Sequence, residues 1–359
     1  MSRRTWSGVK RGVARWGVAG QRHFNTEPER IAQMDAARAQ EAPPVSEQHH
    51  DTDDGAACAT CEPALPGEDA EAAWLEARRG CVGASESAAL FGAHHYLSPY
   101  ALYCRKRGLV PDDIGDEEAA AWGKRLEPAI ADWYAETSGR VLVDHGRHAL
   151  RLHLERPYLG ATLDREIVAF DERGPGALEI KTADPVLAHE WEEGPPLAYQ
   201  IQVQHQLAVT GWTWGVIVVS LGRRNPLVFE VARNDEFIEV LLEECEAFWR
   251  RVTEGDPPDV DGHPATGRAL KALYPTDSGE TIDLPAEAAK WDGERTALLK
   301  EKKGIEARLD ALDNNLRAAI GAASFARLPG GGSYSLMTVA GGPVAYTRAD
   351  YRKLARRKK

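Results

Sequence analysis

Apolar residues recur at helical spacing in the stretch that follows residue 67. The spacing predicts helices at Ala72–Arg78, Ser85–Phe91, Pro99–Arg107 and Glu117–Thr137. In the last of these helices, one apolar stripe is formed by Trp122, Leu126, Ile130 and Trp133. Gly139 follows directly, which is typical of a helix that ends in a left-handed residue. This stretch is therefore expected to be mainly helical.

The pattern then changes to short β-branched or alternating runs. These runs predict strands at Arg140–Val143, His148–Leu154, Ala161–Phe170, Ala177–Thr182, Trp214–Leu221 and Leu227–Val231. Trp214–Leu221 is continuously apolar, as a buried central strand would be. Helical spacing returns at Pro196–Thr210 and Asp235–Thr253. The order of elements predicts an α+β or mixed α/β domain, with a central mixed sheet flanked by helices.

One long helix, Ala286–Ile320, is predicted beyond that domain. Its apolar positions are spaced by seven, at Trp291, Leu298, Ile305 and Leu312. Such a stripe suits either a coiled-coil seam or a helix that packs back on the domain. Two further strands, Ser333–Thr338 and Val344–Thr347, are predicted to form a hairpin across Gly341-Gly342, before a basic C-terminal end.

The N-terminal segment has a different composition. Residues 1–66 are poor in large aliphatic side chains and are interrupted by prolines, so we expect a disordered tail. Within it, Cys58 and Cys61 form a CxxC pair, which is half of a zinc site at most; metal binding and a plain linker are the two interpretations. The predicted organisation is thus a tail (1–66), a folded domain (67–255) and a C-terminal extension (256–359).

Composition narrows the class of protein. The chain has 359 residues, 28% of them charged, and no apolar run long enough for a membrane span. The net charge of −11 argues against a surface that coats nucleic acid indiscriminately, although it permits a local basic groove. Five cysteines and the absence of an apolar leader favour a cytoplasmic protein.

Two acids and a lysine form the most informative constellation. Asp164 lies in the middle of the predicted strand Ala161–Phe170, and Glu179 and Lys181 alternate on the next strand, so their side chains share one face. Carboxylates in such an arrangement suit Mg²⁺, which prefers oxygen ligands and can promote phosphodiester hydrolysis. The alternative interpretation is a pair of strand edges that carry solvated charges.

Several short segments occur in a fixed order within residues 70–253. They are Arg78–Ser85 (RRGCVGAS), Trp122–Glu127 (WGKRLE), Gly160–Asp164 (GATLD), Leu178–Lys181 (LEIK) and Ala198–Gln204 (AYQIQVQ). Together they resemble the YqaJ-type viral recombinase nucleases, the group of phage lambda exonuclease within the PD-(D/E)xK superfamily. That resemblance implies a restriction-endonuclease-like core.

The resemblance also implies a metal centre. Asp164 and Glu179 would be metal ligands, with the Ile180 carbonyl completing the shell. Lys181 would be the catalytic lysine, and Glu127 the helical acid that supports a metal-bound water or a second metal. The implied cofactor is Mg²⁺, with Mn²⁺ as a substitute.

Further roles are implied for residues around that centre. Gln202 resembles the active-site glutamine, with Gln204 as its nearest competitor. Arg78 and Ser85 resemble a pair that grips the terminal 5′ phosphate, and Arg79 could supply that charge instead. Ser85 has a second interpretation, as the N-cap of the helix predicted to begin there.

The implied function is 5′-to-3′ digestion of linear double-stranded DNA, leaving 3′ single strands for an annealing protein. A ring-shaped homo-oligomer is also implied. One departure is that Leu163 and Arg165 flank Asp164, where the family often has Pro and Gly. Two alternatives remain: a non-catalytic DNA-end-binding or scaffold protein, and a RecB- or Cas4-like nuclease with an iron–sulfur cluster, for which four suitably placed cysteines are lacking.

Overall fold

The computed structural model describes residues 68–111, 117–222, 225–343 and 351–356. These residues belong to two compact units, one ending at Leu273 and the other beginning at Tyr274. The predicted tail, the Cys58/Cys61 pair and the predicted strand Val344–Thr347 lie outside the described residues. Each helix in the described ranges is too short or too polar to cross a lipid bilayer.

The first unit alternates helices and short strands. Its helices are α1 (Glu68–Arg79), α2 (Ala84–Ser87), α3 (Pro99–Lys106), α4 (Glu117–Ser138), α5 (Leu197–Thr210), α6 (Asp235–Glu254) and α7 (Pro264–Leu273). Its strands are β1 (Val82–Gly83), β2 (Leu142–Val143), β3 (Arg151–Leu152), β4 (Leu159–Ala161), β5 (Arg165–Ile167), β6 (Gly176–Thr182), β7 (Trp214–Ser220) and β8 (Leu227–Ala232). Gly139 has a φ of 68°, so it ends α4 in the predicted left-handed conformation.

A five-stranded mixed sheet, in the order β2-β5-β6-β7-β8, forms the centre of this unit. β6 and β7 are parallel, and the neighbouring pairs are antiparallel. The crossover between β6 and β7 contains a 3₁₀ helix (Pro185–Trp191) and α5. β7 is buried along almost its whole length, which confirms it as the predicted central strand.

Helices cover both faces of the large sheet. On one face, Ile130 and Tyr134 of α4 pack with Leu178 and Ile180 of β6. On the other face, α5 and the 3₁₀ helix pack on Ala177 of β6 and on Ile217 and Val219 of β7. Strand alternation therefore directs Glu179 and Lys181 toward the face that α5 covers. The mixed sheet flanked by helices confirms the predicted fold class.

The predicted strand Ala161–Phe170 is divided in the structure. β4 pairs with β1 and β3 in a small three-stranded sheet, whereas β5 pairs with β2 and β6 in the large one. The residues between them, 162–164, belong to neither strand. The prediction of Asp164 in mid-strand was therefore wrong, because the chain changes sheets at this point.

The predicted stripe on α4 is only half buried. Trp122 and Leu126 are 54% and 42% exposed, whereas Ile130 is buried. The buried face of the helix is completed by Ala131 and Tyr134. The N-terminal half of α4 thus leaves its apolar stripe largely exposed, and its Glu127 is paired with Arg165 of β5.

A separate apolar cluster joins α2, α3, α6 and α7. It includes Leu102, Phe237 and Leu241, together with Ala265 and Ala269 of α7. Because α7 contributes to this core, the first unit extends to Leu273, past the expected boundary at 255.

The second unit contains α8 (Ala288–Ile320) and a hairpin. None of the α8 side chains is buried, and Trp291, Leu298 and Leu312 are each more than half exposed. The hairpin pairs β9 (Phe325–Arg327) with β10 (Ser333–Ser335). The predicted pairing of Ser333–Thr338 with Val344–Thr347 involves residues outside the described ranges; within those ranges, β10 pairs with the preceding strand β9.

We expect Gly176→Ala, at the start of β6, to destabilise the first unit. A Cβ at this position would lie 2.7 Å from two atoms of the Trp214 indole, which is itself buried. Overpacking of this kind costs about 1–3 kcal/mol, so the melting temperature should fall by several degrees in a thermal denaturation experiment. Gly262→Ala is the control, because a Cβ there meets nothing within 4 Å. Equal melting temperatures for the two variants would contradict this packing.

Candidate functional site

The break between β4 and β5 fixes the carboxylate of Asp164 against β6. Its Oδ2 accepts a hydrogen bond of 2.6 Å from the Ile180 amide, and its backbone carbonyl accepts one from the Arg165 guanidinium. Asp164 follows Leu163, which is buried in the cluster on the α5 face of the sheet. Leaving the strand therefore allows Asp164 to reach across to the next strand.

Glu179 is a charged residue in the core, with only 2% of its surface exposed. Its Oε1 accepts hydrogen bonds from Lys181 Nζ at 2.5 Å and Gln202 Nε2 at 2.7 Å, and its Oε2 accepts one of 2.6 Å from Gln206 Nε2. A buried carboxylate is tolerated only when such donors replace water. The three donors also hold its two oxygen atoms in a fixed orientation.

Two of these donors come from α5, which is buried on all sides. Residues 201–208 of this helix are all buried, including Gln202, Gln204 and Gln206. Gln202 and Gln206 face Glu179, whereas Gln204 bonds the Ala232 carbonyl and the Asn234 amide. The structure thus brings Gln202 to the site and places Gln204 in a structural role. Gln206 was not among the predicted site residues, although its i, i+4 spacing from Gln202 is visible in the sequence.

The charges of this cluster perturb one another. Burial, together with the neighbouring Glu179 carboxylate, raises the pKa of Asp164 well above the ordinary aspartate value. Burial alone would lower the pKa of Lys181, but Glu179 and Asp164 outweigh it and raise that pKa. Lys181 therefore keeps its proton at neutral pH, and the two carboxylates share one compensating cation.

Glu127 belongs to a second group of charges, on the α4 side of Asp164. Its Oε1 lies 2.8 Å from Nη1 of Arg165, and Nη2 of the same guanidinium lies 3.1 Å from Oδ2 of Asp144. Arg165 was noted in the sequence only as a departure from the family pattern. Its part in the site could not be read there, because its partners lie far away in the chain.

The donor set fits a divalent cation of the Mg²⁺ type. Asp164 and Glu179 offer carboxylate oxygens, which are the ligands that Mg²⁺ prefers, and both line one cavity. Across the described part of the chain, no three His, Cys, Asp or Glu side chains come close enough to form a metal site by themselves. Glu127 was expected to support a metal-bound water or a second metal; it lines the same cavity as Asp164 and Glu179, and its carboxylate is paired with Arg165.

The residues predicted to hold a 5′ phosphate line the same cavity. The cavity has a volume of about 450 Å³, and its lining includes Arg78 and Ser85 as well as Asp164, Glu179 and Lys181. The Arg78 guanidinium lies 3.3 Å from Glu86 and stacks on Trp74 at 4.8 Å.

The structure also shows which of the two adjacent arginines lines the cavity and where Ser85 lies in its helix. Arg79 is paired with Glu76 and does not line the cavity, so Arg78 is the arginine that faces it. The predicted helix starts at Ala84, and its N-cap is Gly83, whose amide donates to the Glu86 side chain. Ser85 is therefore inside the helix rather than capping it, and it is exposed.

The cysteines in the described ranges do not form the ligand set that the iron–sulfur alternative requires. Cys81, Cys104 and Cys245 are buried free thiols, and the last two lie in the apolar cluster of α3 and α6. The other two cysteines, Cys58 and Cys61, lie outside the described residues.

Comparison with known proteins gives one family. A model described as "YqaJ-like viral recombinase domain" matches residues 73–213. "Uncharacterized protein YqaJ" of Bacillus subtilis (strain 168) is 30% identical over 287 residues, which are 78% of this chain and 86% of that protein.

Two solved exonuclease structures are also similar to this chain at low identity. An alkaline exonuclease (LHK-Exo) from Laribacter hongkongensis is 22% identical, with a TM-score of 0.42 over 52% of this chain and 94% of that one. A phage related exonuclease from Haemophilus somnus 129PT is 14% identical, with a TM-score of 0.35 over 48% and 94% of the two chains.

We expect Asp164→Asn to raise the melting temperature of the metal-free protein at pH 7. A folded-state pKa above the unfolded value means that the ionised carboxyl opposes folding, and the amide removes that charge while its oxygen can still accept from Ile180. The gain should disappear as the pH falls through the raised pKa, because wild-type Asp164 is then neutral. A gain of 2–4 °C would correspond to about 1 kcal/mol.

Thermal denaturation in EDTA measures this effect, with Asp171→Asn as the control. Asp171 is exposed, and hydrogen bonds from Arg173 lower its pKa, so its substitution should give no gain. If Asp164→Asn melts below the wild type in EDTA at pH 7, the charge repulsion inferred here is absent.

Proposed function

The chain belongs to the YqaJ-like viral recombinase family, and on that premise we propose that it is a Mg²⁺-dependent deoxyribonuclease that digests linear double-stranded DNA from its ends. Mn²⁺ would substitute for Mg²⁺. The observation that carries the proposal is the convergence of buried Glu179 with half-buried Asp164 and Lys181 on one cavity. Perturbed titratable groups that converge in a cleft are typical of catalytic sites.

The cation would be held by Asp164, Glu179 and the Ile180 carbonyl. When bound, it supplies positive charge that stabilises negative charge developing on the phosphoryl oxygens. Gln202 and Gln206 keep the Glu179 carboxylate in place, which preserves the geometry of the ligand set. Glu127 is paired with Arg165 and is not among these ligands.

Lys181 would act as a charged donor rather than as a base. Because Glu179 and Asp164 raise its pKa, its ammonium group retains its proton at neutral pH. It can therefore orient the attacking water or donate a hydrogen bond to a phosphate oxygen in the transition state. Its distance of 5.1 Å from the Tyr199 ring fixes the direction in which the side chain points.

The lining of the cavity supports attack near a DNA end. Arg78 and Ser85 line the same cavity as the acids, which suits a terminal nucleotide whose 5′ phosphate would be held while the next phosphodiester lies near Asp164 and Glu179. Family membership supports the finer parts of the proposal: 5′-to-3′ polarity, a 3′ single-stranded product for an annealing protein, a ring-shaped homo-oligomer and action in the host cytoplasm.

Removing the carboxylates should abolish metal-dependent cleavage. We expect Asp164→Ala and Glu179→Ala to show no detectable digestion of linear duplex in Mg²⁺, because each removes a proposed ligand. Lys181→Ala should lower kcat by about 10²–10³ with a small change in KM, since its interaction belongs mainly to the transition state. Release of nucleotides from labelled linear duplex measures these rates, and circular duplex should resist digestion.

Asp171→Ala is the control for these variants, because that acid is exposed. Wild-type rates in Asp164→Ala, or cleavage that persists in EDTA, would contradict the metal site. Tight binding of DNA ends by a wild-type protein that cleaves nothing would instead favour the non-catalytic end-binding alternative.

The choice of DNA end should depend on Arg78. We expect the wild type to digest 5′-phosphorylated duplex faster than 5′-hydroxyl duplex, since a guanidinium forms charge-assisted hydrogen bonds with a terminal phosphate. Loss of such a bond costs about 1.5–3 kcal/mol, so Arg78→Ala should reduce the preference by more than about tenfold. Glu86 keeps its 2.7 Å ion pair with Lys106 in that variant, which should preserve the fold.

Arg79→Ala provides a matched control, because Arg79 is adjacent in sequence but is paired with Glu76 outside the cavity. Its preference for the phosphorylated end should equal that of the wild type. If Arg78→Ala and Ser85→Ala both retain the full preference, the phosphate is held elsewhere, and the metal centre is unaffected by that result.

A further inference from the structure

The Arg165 guanidinium is a positive charge at the site that has no role in the proposed hydrolysis. The Arg165 side chain is only 11% exposed and lines the same cavity as Asp164, Glu179 and Lys181. Its guanidinium contacts Glu127 at 2.8 Å, Asp144 at 3.1 Å and the Asp164 backbone carbonyl. One arginine therefore joins α4, the segment after β2 and the residue that carries the central carboxylate.

Asp164 is thus flanked by two acidic groups, each with its own cation. On one side, Glu179 is paired with Lys181 at 2.5 Å; on the other, Glu127 is paired with Arg165.

We propose that Arg165 occupies the place of a second divalent cation beside Glu127, so that the site binds one divalent ion, at Asp164, Glu179 and the Ile180 carbonyl. This inference rests on the proposed function, because it concerns the metal requirement of the same site. It assigns to Arg165 a positioning role: the residue holds Glu127 away from the metal and supplies a permanent charge in its place.

The chemistry of arginine makes this substitution of charge stable. A guanidinium stays protonated in proteins, and its planar fork can bond two carboxylates at once. A divalent ion that bound Glu127 would have to displace the guanidinium from a site where it is almost fully covered. An arginine left in such a place without its partner is costly, because its charge is then neither solvated nor paired.

Metal stoichiometry tests the inference without any measurement of cleavage. In calorimetric titration of the full-length protein with Mn²⁺, we expect one ion per chain for the wild type. Arg165→Gln should bind a second ion, because it releases Glu127 and Asp144, and the added Glu127→Gln change should return the value to one. Arg165→Lys, which keeps the charge, should stay at one.

Arg151→Gln is the matched control. Arg151 is equally covered, with a side chain 12% exposed, and it bonds Glu166 at 3.0 Å away from the proposed ligands. Losing that ion pair should lower the melting temperature and leave the stoichiometry at one. If Arg165→Gln does not fold, Glu127→Gln serves instead: we expect its Mn²⁺ affinity to stay within about threefold of wild type, whereas loss of a true ligand lowers affinity about tenfold or more.

Each remaining outcome decides between the two proposals. Two ions bound to the wild type, or one ion bound to a folded Arg165→Gln variant, would overturn the role of Arg165 and leave the nuclease proposal standing. A tenfold loss of affinity in Glu127→Gln would also overturn it. No Mn²⁺ binding by the wild type would overturn both this inference and the metal centre on which it rests.

Discussion

A carboxylate held almost entirely out of water, that of Glu179, is the constraint on which this architecture depends. Its charge is tolerated because Lys181 and two glutamines of α5 donate to it. The donors come from β6 itself and from the crossover helix, so β6 and α5 must keep one relative position. A shift of either would leave a buried charge without a partner. The parallel pair of β6 and β7 and the helix between them thus form one unit with the site.

The central position of α5 explains why so many polar residues are buried in it. The helix contacts strands of both sheets as well as α2 and α6, and no face of its middle turns is open to water. Two of these polar side chains illustrate how burial is accommodated. Gln204 ties the helix to the end of β8, and burial lowers the pKa of His205 to about 4, so its ring stays neutral.

Charge around the cavity is organised as local pairs rather than as a broad basic surface. The Lys106 side chain is covered and paired with Glu86, and the same glutamate also contacts Arg78. Lys181 and Arg165 likewise each have an acidic partner at the site. This arrangement reconciles a net charge of −11 with a cavity suited to phosphate, because the cations are placed individually where an anion would be bound.

The sequence by itself determined what depends on local periodicity. The alternation of β6 put Glu179 and Lys181 on one face, and the apolar run of β7 marked the centre of the sheet. The inferences from alternation hold because a two-residue or 3.6-residue repeat fixes which side of an element a residue occupies. The resemblance of the ordered segments to a family, and not any repeat, implied that Asp164, Glu127 and Gln202 belong to one site, and all three line one cavity.

Only the tertiary structure decided how separate elements meet. It moved Asp164 into a break between two sheets, because β4 and β5 pair with different partners. It brought both Gln202 and Gln206 to Glu179, a choice that periodicity cannot make for a helix buried on every face. It also turned Arg165 from an unexplained departure into the partner of Glu127, 38 positions away. Contacts of that kind depend on where the chain returns in space, and no local repeat encodes that.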